Sequence, residues 1–117
     1  MDNRIFVWLF DVKTAIEEID SFFEEGEKKY QNYLSDIRTK RAIERNIEII
    51  GEAINRIIKL EETEIEITNA KQIVNTRNRI IHGYDSVSDD MIWGIVINHL
   101  PKLKNEIDDI LDKYTDV

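Results

Sequence analysis

Five isoleucines, Ile43, Ile47, Ile50, Ile54 and Ile57, recur at steps of three and four residues. That spacing places them on one side of an α-helix and makes a single apolar stripe. Opposite them run Arg38, Arg41, Arg45, Glu48, Glu52, Arg56 and Lys59, again three or four apart. The pattern predicts a helix from about Asp36 to Leu60 with two distinct faces. The rest of the chain repeats the spacing. Ile5, Trp8/Leu9, Val12, Ile16, Ile19 and Phe22/Phe23 predict a helix from Asp2 to Glu25, with Gly26 as its stop. Trp8 and the phenylalanines read as core or subunit interface. A short helical turn is expected through Lys28–Leu34, carrying Tyr30 and Tyr33. Thr68 or Asn69 is placed to cap a helix through Ile73, Val74, Ile80 and Ile81. A last stripe runs through Met91/Ile92, Ile95/Val96, Leu100, Leu103, Ile107 and Ile110/Leu111. Pro101 is expected to kink that region or to start a new helix capped near Asn98. The fold class is all-α, an antiparallel bundle of four to five helices.

A chain of 117 residues fits one domain and buries roughly 60–70% of its unfolded surface. Four glycines and one proline suit helices joined by short connections. No repeat, low-complexity stretch or linker interrupts them. The chain lacks cysteine, so it has no disulfide framework or thiolate metal site, and a reducing cytoplasm suits it. The longest apolar run, Ile5 to Phe10, is far too short for a membrane span or a signal-peptide core. A Gly-rich phosphate loop, H-E-x-x-H, a calcium loop and G-x-S-x-G are all absent. Only His82 and His99 supply imidazoles, so no metal site and no cofactor are expected. His99 reads as a surface or interface residue. The acids Asp108, Asp109, Asp112 and Asp116 read as the solvated face of the last helix.

The net charge is −8, which at first sight repels nucleic acid. Its distribution says otherwise. Residues 1–37 carry −5, 38–60 carry +3, 61–76 carry −3, 77–84 carry +2 and 85–117 carry −5. Positive character is therefore confined to the Asp36–Leu60 helix and to the octet Arg77-Asn78-Arg79-Ile80-Ile81-His82-Gly83-Tyr84. Gly83 is expected to close the preceding helix in a left-handed conformation. Ser86, Ser88, Asp89 and Asp90 then start the next one. His82 thus falls in a last helical turn beside an exposed loop. Asn78 and Arg79 share its face, whereas Arg77 lies about 140° away on an ideal helix. Arg77 and His82 converge only if that turn unwinds or across a dimer interface. An imidazole among guanidiniums supplies the parts for RNA cleavage without a metal. His82 would move a proton, and Arg77 or Arg79 would neutralise phosphoryl charge. The plainer alternative is a histidine capping helical carbonyls, with arginines in surface ion pairs. Arg38, Arg41 and Arg45 are open in the same way. They form either a solvated face held by pairs such as Arg45–Glu48 and Glu52–Arg56 or one wall of a phosphate-binding groove. Gly51, costly in mid-helix by roughly 1 kcal/mol, makes sense if another backbone comes close there.

Arg77-x₄-His82-x-Tyr84 resembles the R-x₄₋₆-H motif of HEPN domains, and the tyrosine two residues on resembles the HepT toxin branch. Residues Ala42 to Ala53, with Gly51-Glu52-Ala53, are similar to that family's central helix. Asp90-Met91-Ile92-Trp93 through Leu100-Pro101-Lys102-Leu103 resembles its last helix. The likeness covers nearly the whole chain as one HEPN-like domain, 1–117. It implies a helical bundle that dimerises and brings two R-x₄-H motifs into one cleft. It implies a metal-independent endoribonuclease toxin acting on RNA, tRNA in some members, with Arg77 and His82 as the catalytic pair. Asn78 is then the polar residue after the arginine, and Arg79 a supporting cation. The implied partner is an MntA-type minimal nucleotidyltransferase antitoxin, which transfers AMP from ATP to Tyr84. Each AMP adds bulk and a negative phosphodiester beside the arginines. The other reading is a non-catalytic helical accessory subunit that docks a nucleotidyltransferase or presents a nucleotide to it.

Overall fold

The computed structural model describes residues 2–23, 28–60 and 65–115. Helix α1, Asn3–Ser21, begins where the Asp2 carboxylate accepts the Arg4 backbone N–H at 2.8 Å, satisfying one of the donors a helix start leaves open. It ends a turn earlier than the apolar spacing predicts. Phe22 N–H turns back to the Ile19 carbonyl, and Phe23 leaves the helical line to pack edge-on against Trp93, ring centroids 5.7 Å apart. Gly26, the expected stop, lies outside the described residues. Helix α2, Tyr30–Ser35, is separated from α3, Ile37–Leu60, by the single extended residue Asp36. The Asp36 carboxylate accepts from Arg38 N–H at 3.0 Å and from the Thr39 hydroxyl at 2.9 Å, so the long helix starts where the sequence places it.

Helix α3 is the centre of the bundle. All five isoleucines of its stripe are fully buried. Against them pack Ile5, Leu9, Val12, Ile16 and Ile19 of α1 together with Ile73 and Ile80 of α4, Ala70–His82. Helices α1 and α4 both pack on α3 and run antiparallel to it, with one groove opening between them. Asp11 of α1 lies near Arg45 and Glu48, while Arg77 of α4 crosses at Gly51 and Tyr84 at Glu44. Asn69 occupies the cap position of α4 but contributes no side-chain bond. It adopts the left-handed conformation, φ 63°, which asparagine tolerates better than most residues. Thr68, the other expected cap, is drawn instead to the bundle's far side, where its hydroxyl donates to Glu106 at 2.7 Å.

Gly83 departs from expectation. Its φ is −140°, not left-handed, and α4 closes through the Gly83 N–H donating to the Arg79 carbonyl at 2.9 Å. The chain continues as a tight 3₁₀ turn, Tyr84–Ser86, in which the Ser86 hydroxyl donates to the Gly83 carbonyl at 2.6 Å. Those local bonds set the Gly83 backbone and remove the need for a left-handed cap. Ser88 then caps α5, Asp89–Gly94, by accepting the Met91 N–H at 3.2 Å.

Pro101 takes the second position of a new α-helical element, but the helical run is not broken there. Helix α5, a π-helical turn Ile95–His99, and α6, Leu100–Thr115, follow without a gap. In the π turn the Leu100 N–H donates to the Ile95 carbonyl, one residue beyond α-helical register. The widened turn falls just ahead of the missing proline N–H, and the helix runs on through it. Ile92, Val96, Leu100, Leu103 and Ile107 close the core. Among the described residues no helix is long and apolar enough to cross a membrane.

Candidate active site

The octet occupies the end of α4 and the turn after it. Thr76, one residue before it, is buried and returns its hydroxyl to the Gln72 carbonyl at 2.9 Å. Ile80 also faces the core. These two orient the last turns of the helix, so Arg77 is carried along the α3 side while Asn78, Arg79, Ile81 and His82 stay exposed. The Arg77 stem crosses α3 at Gly51. A Cβ built on that glycine would run into the Cβ of Arg77 and lie 2.8 Å from its Cγ. The close approach anticipated from Gly51 is therefore made by α4. Beyond the crossing, Arg77 Nη2 meets Glu52 at 2.5 Å, and Nη1 donates to the Asn78 side-chain carbonyl at 2.8 Å. Arg77 Nε is buried and unpaired among the described residues.

No hydrogen bond or ion pair joins Arg77 to His82 among the described residues. The five-residue step keeps them on different sides of a regular helix, because the last turn of α4 does not unwind. Arg79 reaches across to Met91, Nη1 to Sδ 3.4 Å. Besides the adjacent Arg77 and Asn78, the structure joins two expected residues that lie far apart in sequence, Arg41 and Tyr84. Arg41 Nη1 donates to the hydroxyl of Tyr84, and its guanidinium lies 5.4 Å from the centroid of that ring. The same hydroxyl donates to Glu44, 2.9 Å to Oε1 and 3.1 Å to Oε2. Arg41 also pairs with Glu44 at 3.2 Å. Burial pushes the Glu44 carboxyl above the usual carboxylate range, with the Arg41 charge opposing that shift.

The other arginines of α3 split between the two readings of that face. Arg45 pairs with Glu48 and Arg56 with Glu52, each at 3.0 Å, as the spacing predicts. Arg38 is exposed. A groove of about 250 Å³ opens between α1 and α4, floored by α3 and lined by Trp8, Arg45, Glu52, Arg56, Arg77 and Ile81 among others. Its three guanidiniums are matched by three carboxylates, Asp11, Glu48 and Glu52, and each arginine is paired with Glu48 or Glu52.

Residues 12–110 match the family model described as ribonuclease HepT-like. The chain belongs to the HepT-like ribonuclease family. A candidate RNase of Methanocaldococcus jannaschii is 29% identical over 94% of this chain and 88% of its own length. A candidate ribonuclease HepT of Thermococcus cleftensis is 32% identical over 86% of this chain and 90% of its own length. A candidate RNase of Caldanaerobacter subterraneus is 30% identical over 72% of this chain. No solved structure matches the chain significantly. In this HepT-like protein the R-x₄-H-x-Y octet spans the end of α4 and the turn after it, and its two chemical halves are tied to α3 by separate carboxylates. Glu44 is the residue that sequence reasoning passed over, and Glu52, read only as a partner of Arg56, also holds Arg77. Glu44 follows Ile43 at the edge of the buried stripe, a position that signals partial burial. Nothing local signals its partner forty residues away.

Proposed function

We propose that this protein is a metal-independent endoribonuclease, the toxin of a type VII toxin–antitoxin pair, silenced by adenylylation of Tyr84. The observation that carries the reading is the placement of the octet. A solvent-facing imidazole ends α4, a guanidinium stands on the neighbouring side, and a phenol follows on the next turn. In cleavage, His82 takes the proton of a ribose 2′-hydroxyl or returns one to the leaving 5′-oxygen, and a 2′,3′-cyclic phosphate remains. Arg77, supported by Asn78 and Arg79, neutralises the charge that grows on the phosphoryl oxygens. One chain holds Arg77 and His82 on different sides of α4, so a homodimer that apposes two α4 tips completes the pocket. Exposed Val7, Phe10 and Ile81 are apolar surface available to such an association. Arg38, Arg41 and Arg45 then extend a cationic track for the RNA backbone. An AMP on Tyr84 would set a phosphodiester anion beside Arg41 and compete for that track. The donor is an MntA-type nucleotidyltransferase with ATP.

The test is incubation of freshly purified, unmodified protein with mixed RNA in EDTA. Cleavage leaving cyclic-phosphate ends is expected, reduced about 10²–10⁴-fold by His82→Ala or Arg77→Ala. The net charge of −8 favours the alternative, a non-catalytic accessory subunit of the nucleotidyltransferase. The absence of cleavage on every RNA tried would select it.

A further inference from the structure

We propose that Glu44 is the base that takes the phenolic proton of Tyr84 when that tyrosine attacks a nucleoside triphosphate, and that Arg41 steadies the oxygen as its charge grows. The inference rests on the modification reading above and adds to it a proton acceptor, Glu44. Among the described residues, Tyr84 has the one phenol oxygen bonded both to a carboxylate and to a guanidinium. Tyr30 and Tyr33 also donate to carboxylates, Asp90 at 2.8 Å and Asp89 at 3.3 Å, without a guanidinium on the oxygen. Tyr33 is fully buried, whereas Tyr84 is 45% exposed, so an electrophile can reach it.

The geometry is that of an activated nucleophile: a hydroxyl within hydrogen-bond reach of its base, with the base held by a third group. Glu44 is 8% exposed and is fixed between Tyr84 and Arg41. Its proton affinity, raised by burial, suits a group that must hold a proton at neutral pH. The groups facing it are Arg41 and Lys40 of α3, Asp89 at the head of α5, Tyr33 of α2, and Tyr84 itself. In the transfer step the Tyr84 Oη–Pα bond forms and the bond from Pα to the β-bridging oxygen breaks. Pyrophosphate leaves, and the phenolic proton passes to a Glu44 carboxylate oxygen. No redox change is involved. The product phosphodiester has no proton to share with Glu44 and repels its regenerated carboxylate, so the contact of the modified side chain shifts from Glu44 to Arg41.

Two measurements test this, the first on the protein alone. N-acetylimidazole transfers its acetyl group to accessible phenols, and peptide mass spectrometry reads each tyrosine. Tyr84 is expected to react faster than Tyr114, with a rate that rises much less than tenfold per pH unit at neutral pH. Glu44→Gln, which keeps an acceptor for the phenol but is no base, is expected to slow Tyr84 about 10²-fold. The remaining rate should climb tenfold per pH unit toward the ordinary phenol pKa of about 10. Glu44→Asp should recover part of the loss, and Arg41→Ala should lower the rate without restoring the pH slope. Equal Tyr84 reactivity in Glu44→Gln and wild type would overturn the proposal. The second measurement adds a purified MntA-type nucleotidyltransferase and ATP, and Glu44→Gln should slow single-turnover AMP addition by a similar factor. Acetylation that depends on Glu44, alongside wild-type protein that accepts no AMP, would overturn the transfer step through failure of the modification reading, not of the Glu44–Tyr84 pair.

Discussion

At Gly51 a single added carbon decides whether α4 can lie where it does. Alanine there gains about 1 kcal/mol of helix propensity. Its Cβ, however, meets the Arg77 stem, which belongs to a neighbouring backbone and cannot swing aside. Overpacking of that kind costs about 1–3 kcal/mol, so Gly51→Ala should be destabilising in urea titration and should loosen the Arg77–Glu52 pair. The sequence showed the misfit of this glycine but not what fills the space. Glu44 supplies a pH signature. Burial holds its carboxyl above 4.5 in the folded protein, so the native state binds this proton more readily than the unfolded chain. Its contribution is present in full below 4.5 and is lost as pH rises through the folded value. Wild type should therefore gain stability relative to Glu44→Gln as pH falls from 7 toward 4.5, measured by thermal melts at each pH. A larger gap at high pH than at low would contradict the assignment.

The helices themselves were legible because each carries its own period. The α3 isoleucines predicted a buried stripe, and every one of them is inside. Ile54→Ala should cost about 2–5 kcal/mol, while Ile58→Ala, at a position 39% exposed, should stay well below that. Matching losses at both sites in chemical denaturation would dissolve the distinction between the faces. Helix ends were read less well, for reasons that are tertiary. Phe23 is drawn off α1 by Trp93, and Thr68 is drawn from its capping role by Glu106. Gly83 gives up the left-handed form to a 3₁₀ turn stitched by Ser86. Pro101 was a visible interruption, yet the register shift that absorbs it sits in the preceding turn, at residues with no special chemistry.

Across the whole molecule, the two positive segments of the chain meet where α4 crosses α3, beside a groove in which Arg45, Arg56 and Arg77 stand with Asp11, Glu48 and Glu52. The pairing of α3 with α4 could not be deduced from spacing, and it is this pairing that attaches Arg77 to Glu52 and Tyr84 to Glu44. On the proposed reading a homodimer is required, so sedimentation should report about twice the 13.9 kDa chain mass. Phe10→Asp should then lower the mass and RNA cleavage together. A fully active monomer would show that one α4 tip suffices.

The Glu52–Arg77 contact gives a proposed nuclease an internal rival for its own substrate. An incoming phosphate must displace a carboxylate already seated on the guanidinium, so weakly held or stray anions are turned away and a polyanion succeeds through many simultaneous contacts. Removing the rival with Glu52→Gln should tighten RNA binding several-fold and make the protein cut poorer substrates. Selectivity in such a molecule would come from the strength of a lock that the chain applies to itself.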